Sequence, residues 1–187
     1  MNLTRRQWLV STAALAAHAA PRYRLQLAVA VYVWTQQFAR EKKTLAQGVE
    51  EMFPALVRAG YKRVELMASF FAPGVRDRTI ALLKQHKLEL PIVYIGGAMH
   101  EPEAAAKTTQ AALDLAALVK PLGARAIAIN PLPKRERKTD EELRIQAEAL
   151  DNLGARLRRR KMGLYLHQHA PEMQENAREW RYDLAHT

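Results

Sequence analysis

Gly163-Leu164-Tyr165-Leu166-His167-Gln168-His169-Ala170-Pro171-Glu172 decides how this chain is read. The apolar run at 162–166 predicts a short buried strand. Two imidazoles and a carboxylate, on His167, His169 and Glu172, follow directly where that strand ends. In α/β proteins chemistry collects at the carboxyl ends of strands. Residue type, spacing and expected location therefore point to one site.

Working outward, the chain alternates between two periods. Residues 25–34 are almost continuously apolar and predict a first buried strand. Thr44 opens a helix, with Gln47 placed for a capping box. Leu45, Val49, Met52, Phe53 and Leu56 share one face of it. Gly60 is its expected stop. Residues 63–67 predict a second strand, 77–86 a second helix and 88–95 a third strand closed by Gly96-Gly97. Pro102 suits the first turn of a third helix, where a missing amide donor costs little. That helix runs through Val119 and is stopped by Pro121 and Gly123. Residues 124–129 predict the fourth strand, broken by Asn130-Pro131. Thr139 and Glu142 form a second capping box, and Leu143, Ala147, Leu150, Leu153 and Leu157 line one helical face. A fifth helix is expected over 175–185.

Five strand–helix units of this length predict a parallel sheet. A doubly wound open sheet and part of an eight-fold barrel compete. The open sheet would advertise a nucleotide loop, but no G-x-G-x-x-G follows Val33 and no phosphate-loop motif occurs. Gly96-Gly97 reads equally as a tight turn or as a ligand approach.

Composition bounds the function. The chain has 187 residues, 49% of them hydrophobic, enough for one ordinary core. It has no cysteine, which excludes disulfides and thiolate metal sites. A formal net charge of +10 raises a nucleic-acid or anionic partner. The positive residues concentrate at 134–138 and 156–161, which read as a loop and an exposed helix end. No aromatic residues interleave with them, as a single-strand groove would want. No nucleic-acid partner is therefore expected.

The first residues stand apart. Arg5-Arg6 precedes an apolar, alanine-rich run at 8–17, and Ala17-His18-Ala19 offers small residues for a signal peptidase. This order looks like a twin-arginine export signal over 1–19. A short linker at 20–24 follows. The run is too short for a span of about 20 apolar residues, so no membrane span is expected after signal removal. Export to the periplasm, of a protein already folded, is the corresponding expectation.

At this point the chain resembles the xylose isomerase-like (sugar phosphate isomerase/epimerase) barrels. Ala59-Gly60-Tyr61-Lys62-Arg63-Val64-Glu65-Leu66 is similar to the family's "G-y-x-x-v-E-l" second strand. Tyr94-Ile95-Gly96-Gly97-Ala98-Met99-His100 follows the third strand, and Leu122-Gly123-Ala124 leads into the fourth. Leu166-His167-Gln168-His169-Ala170-Pro171-Glu172 is similar to the "H-N-H-x-x-E" of one branch. The resemblance implies an α/β fold, a partial (β/α)8 TIM barrel with about five parallel strand–helix units over 25–187. Such barrels have eight strands and about 250 residues. The chain stops at Ala185-His186-Thr187, where a "h-T-d-p" segment of the family leads into a sixth strand. The expectation is the N-terminal part of a barrel, with unpaired sheet edges. Marginal stability alone or completion by another chain, an oligomer, would follow.

The resemblance also implies a divalent metal, Mn, Mg, Co or Zn, only partly coordinated by these residues. In many relatives the fifth strand carries "l-E-n-h". Here His167 stands at the glutamate position. Glu172 then becomes the candidate metal ligand and catalytic carboxylate, with His169 beside it as a substrate or metal contact and His167 directed inward. Glu65 is a second catalytic candidate. In an apolar strand its carboxylate must be paired or face the barrel mouth. His100 is a candidate substrate contact or, with Glu101, the cap of the third helix. Trp34 is a candidate wall of the mouth or a core residue.

Three functional classes follow. The first is a sugar or polyol isomerase/epimerase moving a proton through an enediolate. The second is a metal-dependent lyase, hydrolase or dehydratase on the same scaffold. The third is a non-catalytic remnant. The family's DNA-repair endonuclease branch suits the basic charge. It suits export poorly and needs histidines in the early loops that this sequence lacks.

Overall fold

The computed structural model describes residues 26–187. The expected export signal and linker lie outside the described residues. Five strands form one sheet: β1 (Val29–Ala30), β2 (Arg63–Met67), β3 (Glu89–Gly97), β4 (Ala126–Pro131) and β5 (Gly163–Leu166). Their order is β1-β2-β3-β4-β5 and every pair is parallel. The helices are α1 (Tyr32–Arg40), α2 (Leu45–Arg58), α3 (Arg76–Gln85), α4 (Pro102–Val119), α5 (Asp140–Arg159) and α6 (Gln174–His186).

Consecutive order with right-handed crossovers sends successive helices to the same side of the sheet. That is how a barrel is built, whereas a doubly wound sheet reverses its order and covers both faces. Burial agrees. Val64, Leu66, Val93, Ile127 and Ile129 are fully buried, in one core cluster with Met52 and Phe53 of α2, Leu113 of α4 and Leu153 of α5. Their neighbours on the opposite face are more open: Glu65, Met67 and Tyr94 are half-buried and Tyr165 is 60% exposed. β2 and β3 are thus less buried on that face, whereas β4 is buried along its whole length.

The helix starts follow the sequence signals. Gln47 N–H donates to Thr44 Oγ1 at 3.3 Å and Gln47 Oε1 accepts from Thr44 N–H at 2.8 Å. The Thr139–Glu142 pair repeats this at 3.1 and 2.7 Å. Gly60 (φ +86°) closes α2, and Tyr61 N–H donates to the Leu56 carbonyl at 3.1 Å.

Four expectations are corrected. The first strand, expected over 25–34, is only Val29–Ala30 among the described residues, and α1 begins at Tyr32. Val31, Trp34 and Phe38 fall at helical spacing and pack on the core, while Tyr32 and Val33 are exposed. Asn130 and Pro131 do not break β4; they pair with Gly96 and Gly97 at its end. Lys138 is no exposed loop cation but is 4% exposed. Its ammonium donates to the Pro131 carbonyl (3.0 Å), Gln146 Oε1 (2.8 Å) and Glu179 Oε1 (2.6 Å). Three acceptors, one of them charged, are what lets the ammonium leave water. Finally, Glu175, Asn176 and Ala177 inside α6 have left-handed backbone angles, so the regular helix starts later than expected. No described helix is long and apolar enough to cross a membrane.

α6 docks on α5 through polar groups. Its one buried residue is Asp183, whose carboxyl oxygens accept from Gln146 Nε2 at 3.0 and 2.9 Å. Burial first, then the charge of Glu179, push Asp183 up to about 6, against the pull of Gln146, Lys138 and His186. A carboxyl that holds its proton more tightly when folded stabilises the fold at low pH. That contribution is lost as pH rises from the usual value, 3.8, through about 6. Urea midpoints should fall across this window, and Asp183→Asn should flatten the fall. An unchanged slope in the variant would remove Asp183 as its source. Gly48 in α2 supplies a second test, because a Cβ there would meet the Phe38 ring. Gly48→Ala should cost about 1–3 kcal/mol in urea unfolding through overpacking, although alanine is the better helix former.

Candidate active site at the carboxyl ends of the strands

The open face of the sheet carries a cleft of ≈ 490 Å³ lined by Ala30, Tyr32, Glu65, Met67, Tyr94, His167 and His169. Register explains the grouping. Ala30 pairs with Glu65 and Met67 with Tyr94, so side chains from β1, β2 and β3 stand in adjacent rows on one face. His167 extends the same ladder past β5, donating its N–H to the Ile129 carbonyl at 2.8 Å.

Glu65 makes no side-chain hydrogen bond within 26–187, and burial raises its carboxyl above the usual value. Tyr94 is raised too, by burial first and then by the negative charges of Glu172, Tyr32 and Glu65. The Tyr94 and His167 rings meet edge-on with centroids 5.0 Å apart. His167 Nε2 lies 3.3 Å from His169 Nε2. Burial first, then the charge of His169, lower His167.

Glu172 is placed differently. It is 1% exposed and does not line the cleft. Asn130 Nδ2 donates to Glu172 Oε1 at 2.8 Å and to the His167 carbonyl at 2.8 Å. Glu172 Oε2 accepts the His169 backbone N–H at 2.9 Å. Burial alone would raise this carboxyl, but Asn130, two backbone N–H groups and the charge of His169 outweigh it and hold it below the usual value. The carboxylate stays ionised and fastens the 167–172 loop to the end of β4.

Of the six residues singled out by sequence, the structure brings Glu65, His167 and His169 to one cleft and sets Glu172 behind it. Trp34 is half-buried against the core with Phe38, ring centroids 6.0 Å apart, and does not line the cleft. His100 is buried away from it; burial and the charge of Lys138 lower it, and its Nε2 is 3.7 Å from Glu101. Glu101 is the N-cap of α4 but makes no side-chain cap bond. Sequence reasoning passed over Asn130 and Tyr94. Asn130 stands near the end of β4 and Tyr94 inside β3, each after an apolar run, which was the available signal.

A divalent cation of the hard, carboxylate-rich kind does not fit the residues present. Among the described residues no three His, Cys, Asp or Glu side chains gather to hold a metal. No step below is routed through one.

No protein-family model matches the chain, and no curated protein matches it. Solved structures do. One is a sugar phosphate isomerase/epimerase from Parabacteroides distasonis ATCC 8503, with 14% identity, TM-score 0.61, 90% of this chain and 64% of that one covered. Another is a xylose isomerase-like TIM barrel protein from Mycobacterium smegmatis in complex with magnesium, with 14% identity, TM-score 0.57, 78% of this chain and 55% of that one. A third is a family 2 AP endonuclease from Brucella melitensis, with 16% identity, TM-score 0.51, 62% of this chain and 48% of that one. The chain spans between about half and two thirds of these proteins. At such identities the likeness is one of fold: five parallel strand–helix units of the xylose isomerase-like TIM barrel.

Proposed function

We propose that this chain is part of a sugar or polyol isomerase/epimerase that moves a proton beside a carbonyl through an enediolate. The observation that carries the reading is Glu65. Its carboxyl is raised by burial and faces a cleft shared with Tyr94, His167 and His169. A carboxyl tuned upward suits proton abstraction and return near neutral pH. His167 and His169 offer donors to the oxygen where negative charge develops, and Tyr94 offers a third. Met67 and Ala30 supply the apolar wall against which a sugar carbon backbone packs.

The family resemblance implies a divalent ion, which would supply polarisation of the carbonyl and adjacent hydroxyl; no step of this reading runs through it. Within 26–187 the residues do not complete its shell. A lyase, hydrolase or dehydratase would use the same groups, and fold likeness does not choose among these reactions. Export through the twin-arginine route is part of the proposal.

The test follows the proton. The 187-residue chain is incubated in D₂O with a panel of ketoses, aldoses and cyclic polyols. Deuterium should enter the carbon beside the carbonyl, and Glu65→Gln should slow that exchange by about 10²–10⁴-fold. Bond cleavage without exchange would favour the lyase or hydrolase reading, and neither would favour a non-catalytic chain. Export is tested by changing Arg5 and Arg6 to Lys. Periplasmic yield should fall, and an unchanged yield would count against the signal.

A further inference from the structure

The end of the sheet opposite the cleft carries an excess of positive charge. Four helices, α2 to α5, turn back there into the next strand, through residues 58–63, 84–89, 120–125 and 156–161. The four turns are built alike. Gly60, Lys87, Gly123 and Lys161 take positive φ angles of 86°, 54°, 100° and 56°. The residue after each, Tyr61, Leu88, Ala124 or Met162, donates its N–H to the carbonyl five residues back, at 3.0–3.3 Å. Short turns of one shape, each leading into a parallel strand, end in a broad row.

These four stretches hold twelve of the chain's 29 Lys and Arg and one of its 19 Asp and Glu. Nine of the twelve cations are exposed. The one carboxylate, Glu89, pairs with Arg63 at 2.7 Å, and no other of the twelve makes an ion pair among the described residues. Helix dipoles account for part of this. A cation near a helix's carboxyl end answers the dipole, which fades within the last turn. Residues 156–161 alone carry five cations. Lys87 and Lys161 also accept left-handed backbone that glycine adopts freely at 60 and 123. Two turn tips thus hold a charge where conformation alone favours glycine. Val57 and Tyr61, each 40% exposed, add apolar surface at the same end.

We infer that this end is a docking face for an anionic lipid bilayer, its cations meeting the phosphate headgroups and the Tyr61 ring lying at headgroup level. Basic clusters are drawn to such surfaces, and tyrosine suits a boundary that is apolar on one side and wet on the other. A broad row of short turns fits a flat surface. Duplex nucleic acid is read by a helix or ribbon that enters a groove, and single strands want several stacking rings. Tyr61 is the one Phe, Trp or Tyr in the four stretches. Docked this way, the cleft at the carboxyl ends of the strands faces away from the bilayer and stays open to solutes. The inference stands apart from the proposed reaction.

The full 187-residue chain is mixed with phosphatidylcholine vesicles, with or without phosphatidylglycerol, and co-sedimentation is measured. Binding should require phosphatidylglycerol and weaken at least about tenfold as salt rises from about 0.05 to 0.3 M. Combining Arg158→Gln, Arg159→Gln and Lys161→Gln should weaken it by about tenfold or more. Combining Lys42→Gln, Arg76→Gln and Arg135→Gln, at the other end of the strands, should change it by less than about threefold. Lys87→Gly should weaken vesicle binding while the urea midpoint holds or rises, which separates lost docking from lost folding. The chain has no cysteine, so Tyr61→Cys and Arg135→Cys each create a single site for an environment-sensitive dye. The dye at 61 should shift to the blue on vesicles, and the dye at 135 should not. The face is overturned by binding indifferent to phosphatidylglycerol or salt, by equal losses in the two triple variants, or by a dye shift at 135 alone. Loss in Leu9→Glu with none in the turn variants would assign binding to the apolar run at 8–17 instead. Tighter binding to duplex DNA than to vesicles of equal phosphate concentration would give the face to nucleic acid and overturn the lipid assignment.

Discussion

The order of the parallel strands constrains everything else. Each strand lies beside the previous one, so each connection must climb over the same face of the sheet. That face takes the apolar side chains: Val64, Leu66, Val93, Ile127 and Ile129 meet the inward faces of the helices. The other face receives no helix from these connections. Side chains one residue out of phase, Glu65, Met67 and Tyr94, are left facing a cleft. The period of two along a strand thus separates packing from chemistry within a single segment. Leu66 and Glu65 are neighbours in sequence and have opposite fates for that reason.

Three polar groups that enter the interior find partners there. Lys138 is buried with three acceptors, Gln146 bridges Lys138 to Asp183, and Asn130 bridges His167 to Glu172. Burying an amide or a charge without such partners would cost several kcal/mol, on the order of the whole stability of a domain. The same logic explains the long basic stretch after β4. Lys134 pairs with Glu142 at 2.6 Å, Arg137 with Glu175 at 3.1 Å and Lys138 with Glu179 at 2.6 Å. Arg178 from α6 returns the contact, on Asp140 and the Lys138 carbonyl. Arg137, Lys138 and Arg178 tie the loop after β4 to the segment after β5, while Lys134 holds that loop to α5.

Most of the fold was legible because local signals agreed with the tertiary pattern. The two capping boxes, the Gly60 stop, the second through fifth strands and the shared face of α2 each rest on near neighbours in sequence. The misreadings have one cause: they depended on partners far along the chain. Residues 25–34 are apolar enough for a strand, yet Val31, Trp34 and Phe38 also fit a helix. The Phe38 ring, set against Gly48, belongs to the helix. Asn130-Pro131 reads as a breaker until Gly96 and Gly97 pair with it. Lys138 reads as solvated until α6 brings Glu179 over it. The site was half legible. A strand end marked His167 and His169, and the resemblance marked Glu65. The direction in which Glu172 points depends on Asn130, 42 residues away.

Glu65 and Glu172 show how one small region can shift identical side chains in opposite directions. Both leave bulk water, and burial alone would raise both. Glu172 collects an amide and backbone N–H groups and is held below the usual value. The Glu65 carboxyl finds no hydrogen bond within 26–187 and is held above it. A carboxylate already saturated with donors is a poor base, because taking a proton would break bonds it has formed. A carboxyl without donors gives up little on changing state and can cycle. Where two titrating groups are pushed apart by their surroundings, the roles of fixed anion and proton carrier divide between them. The backbone bond from His169 to Glu172 then fixes the loop that carries the imidazoles, and Glu65 lines the same cleft from β2.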